Sequence, residues 1–371
     1  MESRPLRLID ADAHVNEPPD LWVSRVAKQY VDRVPRMEHF PEGDAWVMEG
    51  VDAPINFGLN ACAGLPADSQ RAWARFDEIR EGGWNPAARL NEMDEDGIWA
   101  AILYPTPRLS QGVVTNKDPV LQGEMVRAYN DWLSEYASAD ANRLAGIAIL
   151  PTSDVKSAVA EYERSMQLRG IRGAVMLGYP HGTDEIDSDD DLLFAAVASS
   201  GLPLNIHAAL NSKPPTFMSA KLPGAARFND APKRMLEFLW SGAFDRFPEL
   251  RVAFIEVDCG WVPYFKEQAD NRFHRMGKAQ KLGLKGTPSE YFDRHCVYSF
   301  ITDAFAVRNR HAVGLKNMMW SSDYPHVGSD WPNSWRTIDA SFSGVPRSER
   351  ELILSGNASR LYCFTDGPSS P

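Results

Sequence analysis

Eight short apolar runs, each continuous rather than alternating, recur along the chain and constrain its fold more than any other feature. They occupy residues 8–13, 100–104, 144–150, 173–177, 204–206, 251–255, 296–300 and 317–320. An unbroken apolar run of this length reads as a strand buried on both faces, as in a parallel sheet covered by helices. The segments between them read as helices over residues 87–96, 119–139, 155–168, 190–199, 231–244, 261–276, 304–312 and 347–361. Asp154 and Asp190 suit helix N-caps, and Gly170 and Gly201 suit helix ends. Eight strand–helix alternations predict an α/β fold, a (β/α)8 TIM-like barrel in one domain over residues 1–365.

One interval breaks the rhythm. Residues 15–99 separate the first two runs and hold Trp22, Phe40, Trp46, Phe57, Trp73 and Trp84. This stretch reads as an insertion over the barrel mouth that lines or lids a pocket for a small molecule with a hydrophobic body. The other reading is that these aromatics form the insertion's own small core. Residues 366–371 (DGPSSP) are expected to be a disordered tail.

Composition narrows the partners. Hydrophobic residues make up 44% and charged residues 24%, enough for a large core. No apolar run approaches membrane-spanning length, and the charged N-terminus lacks the apolar stretch of a secretory signal, so a cytoplasmic protein is expected. The net charge of −11 repels phosphate backbones and argues against nucleic acid. Cys62, Cys259, Cys296 and Cys363 are scattered and read as free thiols, not as a zinc site. A homodimer is the default expectation for the assembly.

Barrel enzymes carry their chemistry just beyond the strand C-termini. The first run ends in Asp12-Ala13-His14, with Glu17 close behind; the fifth ends in His207, the sixth in Glu256, and the eighth in Ser321-Ser322-Asp323-Tyr324-Pro325-His326. Asp12 and His14, two apart, point to the same side of a strand. Each residue alone has a structural reading: a cap for Asp12, a turn for Asp323, a hydrogen-bonded imidazole for each histidine. Together, buried carboxylates without a basic partner call for a neutralising cation. Asp12, His14, Glu17, His207, Glu256 and Asp323 are therefore the candidate ligands of one or two divalent ions. The oxygen-rich set favours Mn or Fe, with Zn tolerated. His326 reads either as a proton carrier or as the residue that orients Asp323. His181, in the loop after the fourth run, is a third candidate catalytic residue.

The stretches IDADAHVNEPPDLW (9–22), GGWNPAARLNEMDEDGI (82–98), AYNDWL (128–133), GLPLNIH (201–207), GWVPYF (260–265) and MWSSDYPH (319–326) resemble, in order and spacing, the amidohydrolase-2 branch of the amidohydrolase superfamily. That branch includes aminocarboxymuconate-semialdehyde decarboxylase, resorcylate-type decarboxylases and assorted hydrolases. The resemblance implies that Asp12 and His14 stand at the first-strand ligand pair, His207 at the strand-five ligand, and Asp323 at the aspartate that binds metal or acts as base. Two departures are visible: Asp12 replaces the first histidine of the usual His-x-His, and Glu256 stands where decarboxylases carry a histidine. Arg89 and Asn130 fall in matching stretches on helices and read as packing and capping residues.

Glu256 tips the expected chemistry toward hydrolysis: a metal-bound hydroxide attacking an ester, thioester or amide carbonyl, with two ions as an open arrangement. The alternative is non-oxidative decarboxylation of an aromatic or unsaturated acid, against which an extra carboxylate near a carboxylate substrate counts.

Overall fold

All eight predicted strands form, and they lie side by side in sequence order. The computed structural model describes residues 6–208, 210, 230–280 and 283–365; the expected disorder of the last six residues lies outside this range. The strands in chain order are β1 (Leu8–His14), β2 (Arg36–Phe40), β3 (Gly43–Val47), β4 (Ile55–Asn56), β5 (Ile98–Tyr104), β6 (Leu144–Ile149), β7 (Ile171–Val175), β8 (Leu204–His207), β9 (Val252–Ile255), β10 (Cys296–Phe300) and β11 (Met318–Trp320). The large sheet has the order β1-β5-β6-β7-β8-β9-β10-β11, with every pair parallel. Its two edges meet just past the strand ends. Ala13 forms a parallel bridge with Tyr324, and the Asp323 amide donates to the Asp12 carbonyl at 2.8 Å. The sheet is thus a nearly closed barrel with helices outside.

Local chemistry explains the helices. Asn85 accepts from the Ala87 amide to start the helix Pro86–Asp96, and Gly97, at φ 74°, ends it in the left-handed region. Asp118 caps Pro119–Ala137 and Asp154 caps Val155–Ser165. Asp190 does not cap the helix Asp191–Ser200 with its side chain; both of its carboxylate oxygens are engaged by His181 and the Asp187 amide. The helix predicted over 231–244 breaks at Gly242, φ 74°, into Asp230–Trp240 and Ala243–Arg246. No helix among the described residues is long and apolar enough to cross a membrane.

Strands buried on both faces explain why the apolar runs are continuous: every residue of β1, β6 and β10 is buried. A polar spine runs through this core. Asn205 accepts from the hydroxyls of Tyr104 at 2.9 Å and Tyr362 at 2.6 Å and donates to the Ala174 carbonyl. That satisfies groups which would each cost a few kcal/mol if buried alone.

The insertion after β1 contains the antiparallel sheet β2-β3-β4. Its aromatics pack largely on one another: Trp22 edge-on to Trp46 at 5.3 Å, Phe40 to Trp73 at 5.7 Å, Phe76 to Trp84 at 5.4 Å. The insertion is tied to the loop after β11, for the Cys62 and Ala63 amides donate to the Pro325 carbonyl and Val327 donates to the Leu59 carbonyl. It therefore stands at the C-terminal end of the barrel.

Candidate metal centre

Asp10, Asp12 and His14 lie along β1, whose pairing with β5 shifts register between Asp10 and Ala13, and all three side chains are buried. His14 Nδ1 lies 2.9 Å from the Pro105 carbonyl, to which it donates. This fixes the tautomer and leaves Nε2 toward the carboxylates, 3.3 Å from Asp12 Oδ1 and 3.5 Å from Asp323 Oδ1. From β8, His207 Nε2 reaches Asp12 Oδ1 at 3.0 Å, and its Nδ1 lies 3.9 Å from Glu256 Oε2. From the loop after β11, His326 Nδ1 contacts Asp323 Oδ1 at 2.8 Å.

Three overlapping groups have ligand atoms within 4.8 Å of one another: Asp12, His14 and His207; His14, Asp323 and His326; Asp12, Glu256 and Asp323. Because Asp12, His14 and Asp323 each belong to two groups, the groups describe one locus. The buried atoms Asp12 Oδ2, His14 Nε2 and His326 Nε2 have no hydrogen-bond partner. Buried polar atoms are normally satisfied; an imidazole nitrogen and a carboxylate oxygen left facing one another are what a cation would bind. Residues Asp12, His14, His207, Glu256 and Asp323 thus fit a divalent metal ion.

Electrostatics agree. Burial pushes the Asp12 carboxyl up, but adjacent His207 and His14 outweigh it and hold Asp12 well below the usual carboxylate range. Burial drives His14 down to about 3, with His326 and His207 adding to the effect. Burial likewise takes His326 to about 3. His207 moves the other way, to about 9, because Asp12, Glu256 and Asp323 overcome its desolvation. Glu256 and Asp323 also hold positive φ, 57° each, as do Asp258 at 51° and Ala208, beside His207, at 51°. Such strain concentrates where side chains must be aimed.

Two expected residues stand apart. Glu17 is buried, but its Oε1 accepts from the Thr106 amide at 3.0 Å, so it is not brought into any of the three groups. His181 spends both ring nitrogens within its own loop, on Asp190 Oδ1 at 2.8 Å and Thr183 Oγ1 at 2.5 Å. It braces that loop and joins none of the groups.

The sequence reading missed Asp10 and set Arg89 too far from the site. Asp10 accepts from both the amide and the hydroxyl of Ser322, pinning β1 to the segment after β11, and burial raises it to about 7. Its place in the alternation Asp10-x-Asp12-x-His14 was the available signal. Arg89 is not remote from the strand ends as its helix position suggested. It is 1% exposed and donates to the carbonyls of Gly82 and His14, while its guanidinium covers the Tyr324 ring at 4.3 Å. Trp320 is core, and Tyr324 is buried with its hydroxyl on Glu92.

A carboxylate–imidazole metal centre at the C-terminal rim of a (β/α)8 barrel defines a class of metal-dependent barrel enzymes. The family model described as Amidohydrolase (Amidohydro_2) matches residues 9–364, and the chain belongs to this family. Gamma-resorcylate decarboxylase from Polaromonas sp. (strain JS666 / ATCC BAA-500) is 23% identical over 295 residues, covering 74% of this chain and 86% of that protein. A 2-amino-3-carboxymuconate-6-semialdehyde decarboxylase from Dictyostelium discoideum is 22% identical over 288 residues, covering 76% and 78%. Among solved structures, an amidohydrolase from Mycobacterium avium subsp. paratuberculosis K-10 matches with a TM-score of 0.75 at 19% identity, covering 97% of this chain and all of that one. A dihydroxybenzoic acid decarboxylase from Polaromonas sp. JS666, with bound manganese and the inhibitor 2-nitroresorcinol, matches with a TM-score of 0.67 at 18% identity, covering 98% of each.

These relatives overturn the hydrolase expectation. It rested on Glu256 as an extra negative charge facing a carboxylate substrate. That charge does not stand alone: Glu256 falls in one group with Asp12 and Asp323 that would hold a divalent cation, and it lies 3.9 Å from His207. Its side chain is also 19% exposed rather than sealed.

Proposed function

We propose that this enzyme is a metal-dependent, non-oxidative decarboxylase of an aromatic or unsaturated carboxylic acid. The observation that carries the reading is the pairing of Asp323 with His326 at 2.8 Å, against the Asp12–His14–His207 cluster, in a chain similar to decarboxylases over three quarters of its length. When bound, a divalent ion such as manganese supplies an electrophilic anchor for substrate oxygens.

The protein's own residues supply the proton. Decarboxylation exchanges a carboxylate for hydrogen: R–COO⁻ + H⁺ gives R–H + CO2. Breaking the C–C bond directly would leave an electron pair on carbon. Protonating that carbon first lets the pair return to the π system as CO2 departs. Asp323 delivers the proton, and His326, hydrogen-bonded to it, holds the carboxyl in the delivering orientation. The insertion is anchored to the Pro325 carbonyl, two residues from Asp323, and in this reading it shields the site from water. In this reading the enzyme is a cytoplasmic homodimer.

The test is CO2 release by the manganese-loaded protein from a panel of hydroxybenzoates, carboxyvanillates and carboxymuconate-type acids. Release that requires the metal supports the reading. A metal-loaded protein that releases no CO2 from any acid of these classes sinks it.

A further inference from the structure

We propose that Arg89 is a positioning residue for the metal centre: one buried guanidinium that holds the two ligand-bearing segments of the barrel in register. This rests on the metal-binding reading of the cluster, not on the identity of the substrate. Arg89 is 1% exposed on the helix Pro86–Asp96. Its Nε donates to the Gly82 carbonyl at 2.7 Å, and a terminal nitrogen donates to the main-chain carbonyl of His14. Its plane lies over the ring of Tyr324, the residue after Asp323, at 4.3 Å. The two segments it touches also join each other, since the His14 amide donates to the Tyr324 carbonyl at 2.6 Å. A single planar fork therefore fixes the backbone of one ligand, the neighbour of another, and the insertion at Gly82. Tyr136 donates to the same Gly82 carbonyl at 2.8 Å, which makes that carbonyl a fixed anchor.

The sign of its charge separates positioning from electrostatics. A buried cation behind His14 repels a dication. If charge were its role, removing it would tighten metal binding. Holding geometry predicts the reverse. Lysine is no substitute, since an ammonium cannot offer two divergent in-plane donors and a flat face together.

The experiment titrates Mn²⁺ into metal-stripped wild type, Arg89→Met and Arg89→Lys, with thermal unfolding of each protein recorded alongside. Positioning predicts that folded R89M and R89K both bind Mn²⁺ about 10–100-fold more weakly than wild type. R89M binding more tightly, with R89K near wild type, would identify a purely electrostatic role and overturn the proposal. Both variants binding as wild type does overturns it too. Loss of folding in R89M alone leaves R89K decisive, and loss in both assigns Arg89 to the scaffold instead. A wild type that binds no Mn²⁺ refutes the metal reading itself, an outcome distinct from all of these.

Discussion

His14 and His326 lie face to face, with ring centroids 3.9 Å apart and planes inclined by 21°. Burial keeps both rings neutral, near 3, so the stack does not set two charges against each other. His14 is thereby held from one face while His326 holds Asp323. Replacing His326 by alanine removes both supports. His326→Ala is expected to lower kcat by about 10–100-fold, the usual effect of losing a residue that orients a reacting group. Steady-state CO2 release measures it; an unchanged kcat would remove His326 from the site.

Asp323 is the proposed proton carrier, so Asp323→Asn keeps its size but not its chemistry. A loss of about 10²–10⁴-fold in single-turnover rate is expected. Rapid-quench measurement at saturating metal separates this from weaker metal binding.

Asp12, His14 and Asp323 each join two of the three ligand groups, so elemental analysis should find one equivalent of metal per chain. Chelation should abolish activity and lower the melting temperature, and manganese should restore both. At a free metal concentration a hundredfold above Kd, binding contributes about 2.7 kcal/mol to stability. Identical melting curves with and without chelator would contradict this.

His295 belongs to none of the ligand groups; it ends the helix Pro288–His295 just before β10, stacked on Phe244 at 4.3 Å with Nδ1 on the Leu250 carbonyl. Burial lowers it from 6.5 to about 4. A histidine depressed on folding is protonated more readily in the unfolded chain. Its contribution to stability is therefore full above pH 6.5 and is lost as pH falls toward 4. His295→Phe should flatten that part of the stability–pH curve, as chemical unfolding from pH 7 to 4 would reveal.

Asp10 accepts two hydrogen bonds from Ser322 where the barrel edges meet. Asp10→Ala leaves buried donors unpaired and should cost about 1–3 kcal/mol. Asp10→Asn retains one acceptor oxygen and should lose less, by urea titration.

The barrel was legible because parallel strands covered on both sides must be apolar throughout, and eight such runs matched the eight strands within a few residues. Asp12, His14, His207, Glu256 and Asp323 were legible because strand ends converge on one rim. Glu17 and His181 satisfied the same positional rule, yet Thr106 and Asp190 claim them through hydrogen bonds that spacing does not encode. Arg89 was hidden for the opposite reason: its helix leads into the start of β5 rather than following the C-terminal end of a barrel strand, and only its long side chain reaches His14. The direction of the chemistry was misjudged because Glu256 was weighed as a bare charge, apart from the cation that Asp12, Glu256 and Asp323 together would hold.

Glu256 and Asp323 sit at φ 57°, a conformation that costs an L-residue about 1–2 kcal/mol and glycine almost nothing. Replacement of either by glycine would relax the backbone while deleting a carboxylate from the centre. Directed evolution that rewards heat resistance alone would therefore favour inactive barrels, and a useful selection for hardier variants has to demand turnover at every round.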